Sequence, residues 1–433
     1  MKKGVGIAGR SVRLPEGVRD FLPRAAARRQ TILDTLSGTF SRFGYELVRT
    51  PVFEVAEVLE RGLGADARNS TIHFVEPGTG EEVALRPDIT PQVARMAATR
   101  FATEKGPTRL CYQGIVVRSQ RGVQGQKEVL QAGAELFGVA GELADVEILS
   151  LAAAVLEATG VSERGLELGH VALVRWALAA LPDEEMRAEL KIALSSKDRF
   201  QVRDIAKSLP MNSRSLIELL PRLYGSPADV FSMLENQELP DEIRKVISYL
   251  SSLVTRLSDV VGEETAKILS VDLGDARGFD YYTGIRLFGY LGGVGTAALV
   301  GGRYDSLTKS YGREMPSIGF ALDVEGVAIA QGDSNSVAPR NPLGILVEGE
   351  SQRASRVASS LRKFGMRATA QLGGELSKEE LLNYARRCGF RSVLLLAEKS
   401  EILEDISVEK KLVESAEMGN GTELGRFIES RWK

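Results

Sequence analysis

The chain runs to 433 residues, enough for two or three domains with separate cores, and its 43 % hydrophobic and 26 % charged content is that of an ordinary globular protein. Lys and Arg number 55 against 58 Asp and Glu; the net charge of −3 provides no global attraction for nucleic acid. Only His73 and His170 are available for a His-based metal cluster or triad, and Cys111 and Cys388 lie outside any CxxC pattern, as expected of reduced thiols in a cytoplasmic protein.

Residues 1–12 read as a loose tail without an apolar signal core, and no run of 18 apolar residues follows. Ala25–Phe43 has helical spacing and is stopped by Gly44, and Tyr45–Glu54 reads as a strand ending at a proline. In Leu85–Gln92 (LRPDITPQ), Thr90 and Pro91 form an N-cap and N1 pair for a helix to about Arg100. That start puts Asp88 at the helix mouth, where a plain helix-start acid would also sit. Leu110–Arg118 and Lys127–Phe137 read as strands joined by a polar loop, Ser119–Gln126. Gln131 and Glu135 share one face of the second strand, as a ligand pocket or a solvated face would require.

Asp145–Ala158 is an amphipathic helix, Leu166–Leu181 turns from strand to helix, and Pro182 to about Ile268 is nearly all helical. No Lys/Arg stripe or catalytic spacing marks that stretch, so a packing and spacer role is expected. In Gly274–Tyr290 (GDARGFDYYTGIRLFGY), Tyr281 to Phe288 is strand-like, and alternation would place Tyr281 and Tyr282 on opposite faces. Arg277 precedes it, placed to fork onto a carboxylate or phosphate, or to cap the sheet edge. The glycines of Gly289–Gly302 open no helix, so no dinucleotide site is read there. Pro316–Val327 runs from strand into helix, and 331–342 is a linker by composition. Beyond it, strands at Leu343–Val347, Met366–Gln371 and Ser392–Ala397 alternate with helices Ser351–Phe364 and Lys378–Cys388, a βαβαβ layer. Basic and acidic residues nearly balance in it.

Arg277-Gly278-Phe279-Asp280-Tyr281-Tyr282-Thr283-Gly284 resembles the histidine-recognition motif of histidyl-tRNA synthetases and their non-aminoacylating paralogues, the regulatory subunits of ATP phosphoribosyltransferase. Val300–Leu307 resembles the family's GGRYD element, and three class II signatures fall in order: Ala25–Glu54, Leu110–Phe137 and Pro316–Val327. The likeness covers roughly residues 12–430. It implies an α+β class II synthetase-like fold over 12–330, an antiparallel sheet flanked by helices with a helical insertion at about 173–268. A linker at 331–342 and a small α/β domain at 343–433, similar to an anticodon-binding domain, would complete it.

By the same resemblance Asp88, Thr90 and Gln131 would meet the ammonium of free histidine, Arg277 and Arg118 its carboxylate, and Glu135 and Tyr282 its side chain, with Tyr304 closing one wall of the pocket and Tyr281 also among the histidine-binding residues. The nucleotide contacts depart from the synthetases. Gln120 stands where a Glu is expected after Arg118, the Ser119–Gln126 loop is altered, and Gly326 replaces the Arg that follows Glu325. A charged hydrogen bond is worth roughly 1.5–3 kcal/mol, so three such losses disfavour adenylation. The expectation is a regulatory subunit with no catalytic residue, cofactor or metal. It would bind histidine and form a homodimer core in a hetero-oligomer with a short-form ATP phosphoribosyltransferase catalytic subunit, without membrane or tRNA binding. A divergent histidyl-tRNA synthetase, for which the C-terminal domain speaks, and a class II-like ligase with another substrate are the alternatives.

Overall fold

The computed structural model describes residues 13–119, 125–278, 281–332, 344–374, 376–396, 402–407 and 413–417. The chain divides into two compact units, 1–334 and 335–433.

The first unit opens with α1 (Pro23–Arg42), ended by Gly44 at φ 80°, and with strands β1 (Glu46–Val48) and β2 (Phe53–Val55). The single strand expected over Tyr45–Glu54 is therefore two, in different sheets. The break has a local cause: the buried Arg86 donates to the carbonyls of Thr50 (2.9 Å) and Pro51 (3.2 Å), and its amide donates to Val52 O. The Thr50 and Pro51 carbonyls are thereby lost to any ladder, and the Val52 carbonyl turns to the β2–β4 pair. Helices α2 (Ala56–Glu60) and α3 (Ala65–Asn69) follow, then β3 (Ile72–Val75) and β4 (Glu82–Leu85), which with β2 form a three-stranded antiparallel sheet.

Helix α4 (Thr90–Thr99) leads to the long hairpin β5 (Thr108–Val117) and β6 (Glu128–Phe137), then α5 (Glu142–Ala158), β7 (Arg164–His170) and α6 (Val171–Ala179). The helical insertion comprises α7 (Glu184–Ser195), α8 (Arg199–Ala206), α9 (Met211–Leu219), α10 (Pro227–Glu235), α11 (Asp241–Val261) and α12 (Glu263–Ala266), with the short strand β8 (Tyr224–Gly225) inside it. Strands β9 (Leu269–Asp272), β10 (Ile285–Leu291), β11 (Leu299–Arg303) and β12 (Ser317–Asp323) and helix α13 (Val324–Ala330) close the unit.

The central sheet has the order β1-β5-β6-β12-β11-β10-β7-β9-β8 and is antiparallel except at β1–β5 and β7–β9. This is the expected class II arrangement. Its two faces differ because side chains alternate along each strand. Ala134 and Leu136 of β6, Phe320 and Leu322 of β12 and Leu287 of β10 are buried on one face against α5 and α1. Phe40 of α1 meets Phe320 with ring centroids 6.2 Å apart. On the other face the register aligns Glu135, Gly319, Gly302, Arg286 and Gly169 across five strands, a row of charge and glycine.

The second unit contains β13 (Gly344–Glu348), α14 (Ser351–Lys363), β14 (Arg367–Ala370), α15 (Lys378–Cys388) and β15 (Ser392–Leu396), the βαβαβ order read from the sequence. Strands β16 (Ile402–Ser407) and β17 (Val413–Glu417) add an antiparallel hairpin the sequence reading missed.

Sheet closeness sets a test of this architecture. A Cβ on Gly301 would overlap the backbone carbonyl of Gly319 on the next strand. Gly301→Ala is expected to cost at least about 3 kcal/mol, read as a lowered midpoint in urea denaturation.

Candidate functional site

The polar face of the central sheet carries the candidate site, and β6 sets it out. Gln131, Gly133 and Glu135 point to that face at successive alternate positions. Glu135 is fully buried: its Oε1 accepts from Thr90 Oγ1 at 2.7 Å and from Tyr112 OH at 3.4 Å, and its Oε2 accepts from Tyr304 OH. Glycines make the room. A Cβ on Gly319 would overlap the Glu135 carboxylate, and one on Gly133 would overlap the Tyr112 ring. Burial in this space pushes the Glu135 carboxyl up to about 8, with the charge of Asp88 adding and its hydrogen bonds opposing. The shift favours the protonated form at neutral pH.

The segment before α4 supplies the second wall. Asp88 Oδ1 accepts from the amides of Ile89 (2.7 Å) and Thr90 (3.3 Å), and Gln131 Oε1 also accepts from Ile89 N, at 3.3 Å. Thr90 is not the N-cap expected from the sequence. The helix begins at Thr90 after Ile89, without a side-chain cap, and the Thr90 hydroxyl serves Glu135 instead.

Three tyrosines form the third wall. The strand expected from Tyr281 begins only at Ile285, so the alternation argument does not apply to Tyr281 and Tyr282. Their rings meet edge to face, centroids 5.2 Å apart at 88°, and Tyr281 lies 5.6 Å from Tyr304. Tyr282 lies over Gly302, where a Cβ would sit 2.7 Å from the ring. Burial raises all three phenols, and Glu135 adds to each. The Tyr281 hydroxyl is buried with no hydrogen-bond partner among the described residues, a donor left for something else.

The two arginines are held by partners outside this cluster. Arg118 donates to Pro87 O at 2.8 Å and follows the end of β5 opposite Glu128. Its side chain thus reaches back to the residue before Asp88. Arg277 is half-exposed; its Nε donates to Asp275 at 2.9 Å, its terminal nitrogen to Tyr290 OH at 3.2 Å, and Glu167 lies 3.7 Å away. The reading of the sequence missed what fixes it. Arg286, 2 % exposed, donates to Asp275 O (2.7 Å) and Asp275 Oδ2 (2.9 Å) and to the carbonyl of Arg277. Tyr112 was missed as well; only the register, which sets it against Gly133, places it in the site.

On the nucleotide side, Glu325 is 2 % exposed and is committed to Arg19 (2.6 Å) and to a two-pronged contact with Arg29. Gly326 follows it in α13, where a Cβ would lie 3.3 Å from Ala298. Gln120 and the loop up to 124 lie outside the described residues. Neither histidine joins the site: His170 accepts from Ala172 N at the start of α6, and His73 lies between Glu60 (3.2 Å) and Glu82 (3.1 Å). Among the described residues no three His, Cys, Asp or Glu side chains are grouped as metal ligands.

Comparison with known proteins matches residues 17–327 to the histidyl-tRNA synthetase family. A protein from Syntrophotalea carbinolica named ATP phosphoribosyltransferase regulatory subunit is 34 % identical, over 89 % of this chain and 91 % of its own. One of the same name from Anaeromyxobacter dehalogenans is 39 % identical over 76 % of this chain and 95 % of its own. A histidine--tRNA ligase subunit from Alicyclobacillus acidocaldarius is similar in structure at TM-score 0.62 and 30 % identity, covering 75 % of this chain and 98 % of that one. A histidyl-tRNA synthetase from Nostoc shares the fold at TM-score 0.78 and 18 % identity, covering 98 % and 100 %.

The buried carboxyl gives the site a pH signature. Glu135 ionises near its ordinary 4.5 in the unfolded chain and near 8 in the folded protein, so its contribution is full below about 4.5 and is lost as pH rises to about 8. Glu135→Gln is expected to flatten the fall of stability across that window by up to about 1.4 kcal/mol per pH unit, measured by urea denaturation at stepped pH.

Proposed function

The chain belongs to the family of ATP phosphoribosyltransferase regulatory subunits, built on the histidyl-tRNA synthetase fold, and we propose that it is the non-catalytic, histidine-binding subunit of that enzyme. It would serve the first step of histidine biosynthesis in the cytoplasm and take part in feedback inhibition by histidine. Among the described residues no helix is long and apolar enough to cross a membrane.

One observation carries this reading. A buried polar cluster is assembled around Glu135 with the Tyr281 hydroxyl unpaired among the described residues, while on the nucleotide side Glu325 is tied to Arg19 and Arg29 and is followed by Gly326. Free histidine fits the chemistry of the pocket. Its ammonium would take Asp88, Thr90 and Gln131. Its carboxylate would take Arg277, aided by Arg118. Its imidazole would take Glu135 and the hydroxyls of Tyr281, Tyr282 and Tyr304. Adenylation needs cationic groups held on the phosphates as charge develops, and Arg19 and Arg29 are already engaged in neutralising Glu325.

A regulator without chemistry acts by favouring one state of another protein, which requires contacts that differ between states. The partner is the short-form catalytic subunit. A homodimer core is supported by exposed apolar side chains at Leu47, Val52, Phe53, Val55, Phe74 and Ile115, on or beside β1, β2, β3 and β5. The second reading, a divergent histidyl-tRNA synthetase, is favoured by the Alicyclobacillus relative and by the α/β second unit.

Calorimetry is expected to show binding of histidine and none of leucine, with Arg277→Ala weakening it by about 1.5–3 kcal/mol. Absence of heat, with and without the catalytic subunit, sinks the pocket assignment.

With the short catalytic subunit the chain is expected to co-elute on sizing, to speed formation of phosphoribosyl-ATP and to make it sensitive to histidine. Robust charging of tRNA by the unaltered chain would install the synthetase reading instead.

A further inference from the structure

The helical insertion reads from sequence as packing, yet its contacts converge on the segment that carries Arg277. The turn between α7 and α8 ends in a Schellman-type pattern: Lys197 N donates to Leu194 O at 3.1 Å and Asp198 N to Ala193 O at 2.8 Å. That geometry puts Lys197 at φ 57°, the one non-glycine with positive φ among the described residues. Glycine is the residue such a position favours, since it has no Cβ to strain. The Lys197 Nζ lies 2.6 Å from Asp272 Oδ1, in an ion pair whose acid is 6 % exposed, and 5.7 Å from the Tyr224 ring.

Asp272 is the last residue of β9, and the same Oδ1 accepts from Gly274 N at 3.0 Å. The insertion grips this segment at other points. Tyr224 of β8 pairs with Asp272, Leu273 N donates to Leu223 O at 3.0 Å, and a Cβ on Gly274 would overlap the carbonyl of Leu220. One residue further, Asp275 accepts from the amide and the Nε of Arg277, at 3.0 and 2.9 Å, and is clamped by Arg286 from the sheet. The 272–277 segment is thus held from the insertion at one end and from the sheet at the other.

We propose that Lys197 is a positioning residue for Arg277: by fixing Asp272 it sets the path of 272–277, so that the helical insertion and the capture of a ligand carboxylate by Arg277 are energetically coupled. This rests on the histidine-pocket reading and gives the insertion a part in regulation. It follows that a partner or substitution altering the α7–α8 turn changes affinity for the carboxylate end of the ligand and leaves the imidazole end alone.

The test compares histidine with histamine, which lacks the carboxylate, by calorimetry on the full chain. Lys197→Met is expected to weaken histidine about three- to tenfold while leaving histamine unchanged. Lys197→Gly relieves the backbone, which offsets part of the cost of the lost ion pair, and is expected to be less destabilising than Lys197→Met while showing the same selective loss, which a merely structural lysine would not give. Amide hydrogen exchange at Gly274 and Arg277, measured without ligand, is expected to quicken in both variants. An unchanged histidine-to-histamine ratio in both variants, or unchanged exchange at those amides, overturns the role of Lys197 alone. Wild-type protein that binds neither ligand overturns the histidine pocket and this proposal with it.

Discussion

A carboxyl group placed where water cannot reach it governs the first unit. Ionised and unpaired, Glu135 would cost several kcal/mol in such surroundings; protonated and met by hydroxyls from Thr90, Tyr112 and Tyr304, it is tolerated. Each of those partners comes from a different part of the chain. The start of α4, strand β5 and the segment after β11 must all arrive at one point on β6. The glycines follow from the same demand, because Gly319 and Gly133 are where the carboxylate and the Tyr112 ring find volume. Satisfying one buried acid fixes the mutual placement of four elements.

Much of this was legible in the chain, for identifiable reasons. Helix α1, the β5–β6 hairpin, α5 and the βαβαβ order of the second unit carry strong periodicity and glycine stops, which are local signals. Sharing of one face by Gln131 and Glu135 needed only the period of a strand. What escaped was set by distant partners. Tyr45–Glu54 broke in two because Arg86 claims its carbonyls, and Thr90 left its capping role because Glu135 was there to receive its hydroxyl. Tyr281 and Tyr282 have strand-like composition but sit ahead of the strand, where the perpendicular rings wall the pocket together. No window of sequence contains those causes.

The segment 272–277 illustrates a different kind of dependence. Its hydrogen bonds run outward, from Asp272 to Lys197 in the insertion and from Asp275 to Arg286 in the sheet. A side chain such as Arg277, half-exposed and facing Asp275, Tyr290 and Glu167, is only as well placed as those two anchorages.

The two-faced strand has a consequence for descent. Along β6 and β12 each position serves either the apolar side against α5 and α1 or the polar side, and none serves both. Changes on the apolar side leave ligand chemistry largely untouched, whereas the polar side tolerates change only away from Glu135 and the glycines that make room for it. A lineage can shed one activity, drift through intermediates that still fold, and be recruited to another task without rebuilding its scaffold. Gly326 lies past the end of β12, in α13, outside both sets of strand positions, and a side chain there would meet Ala298.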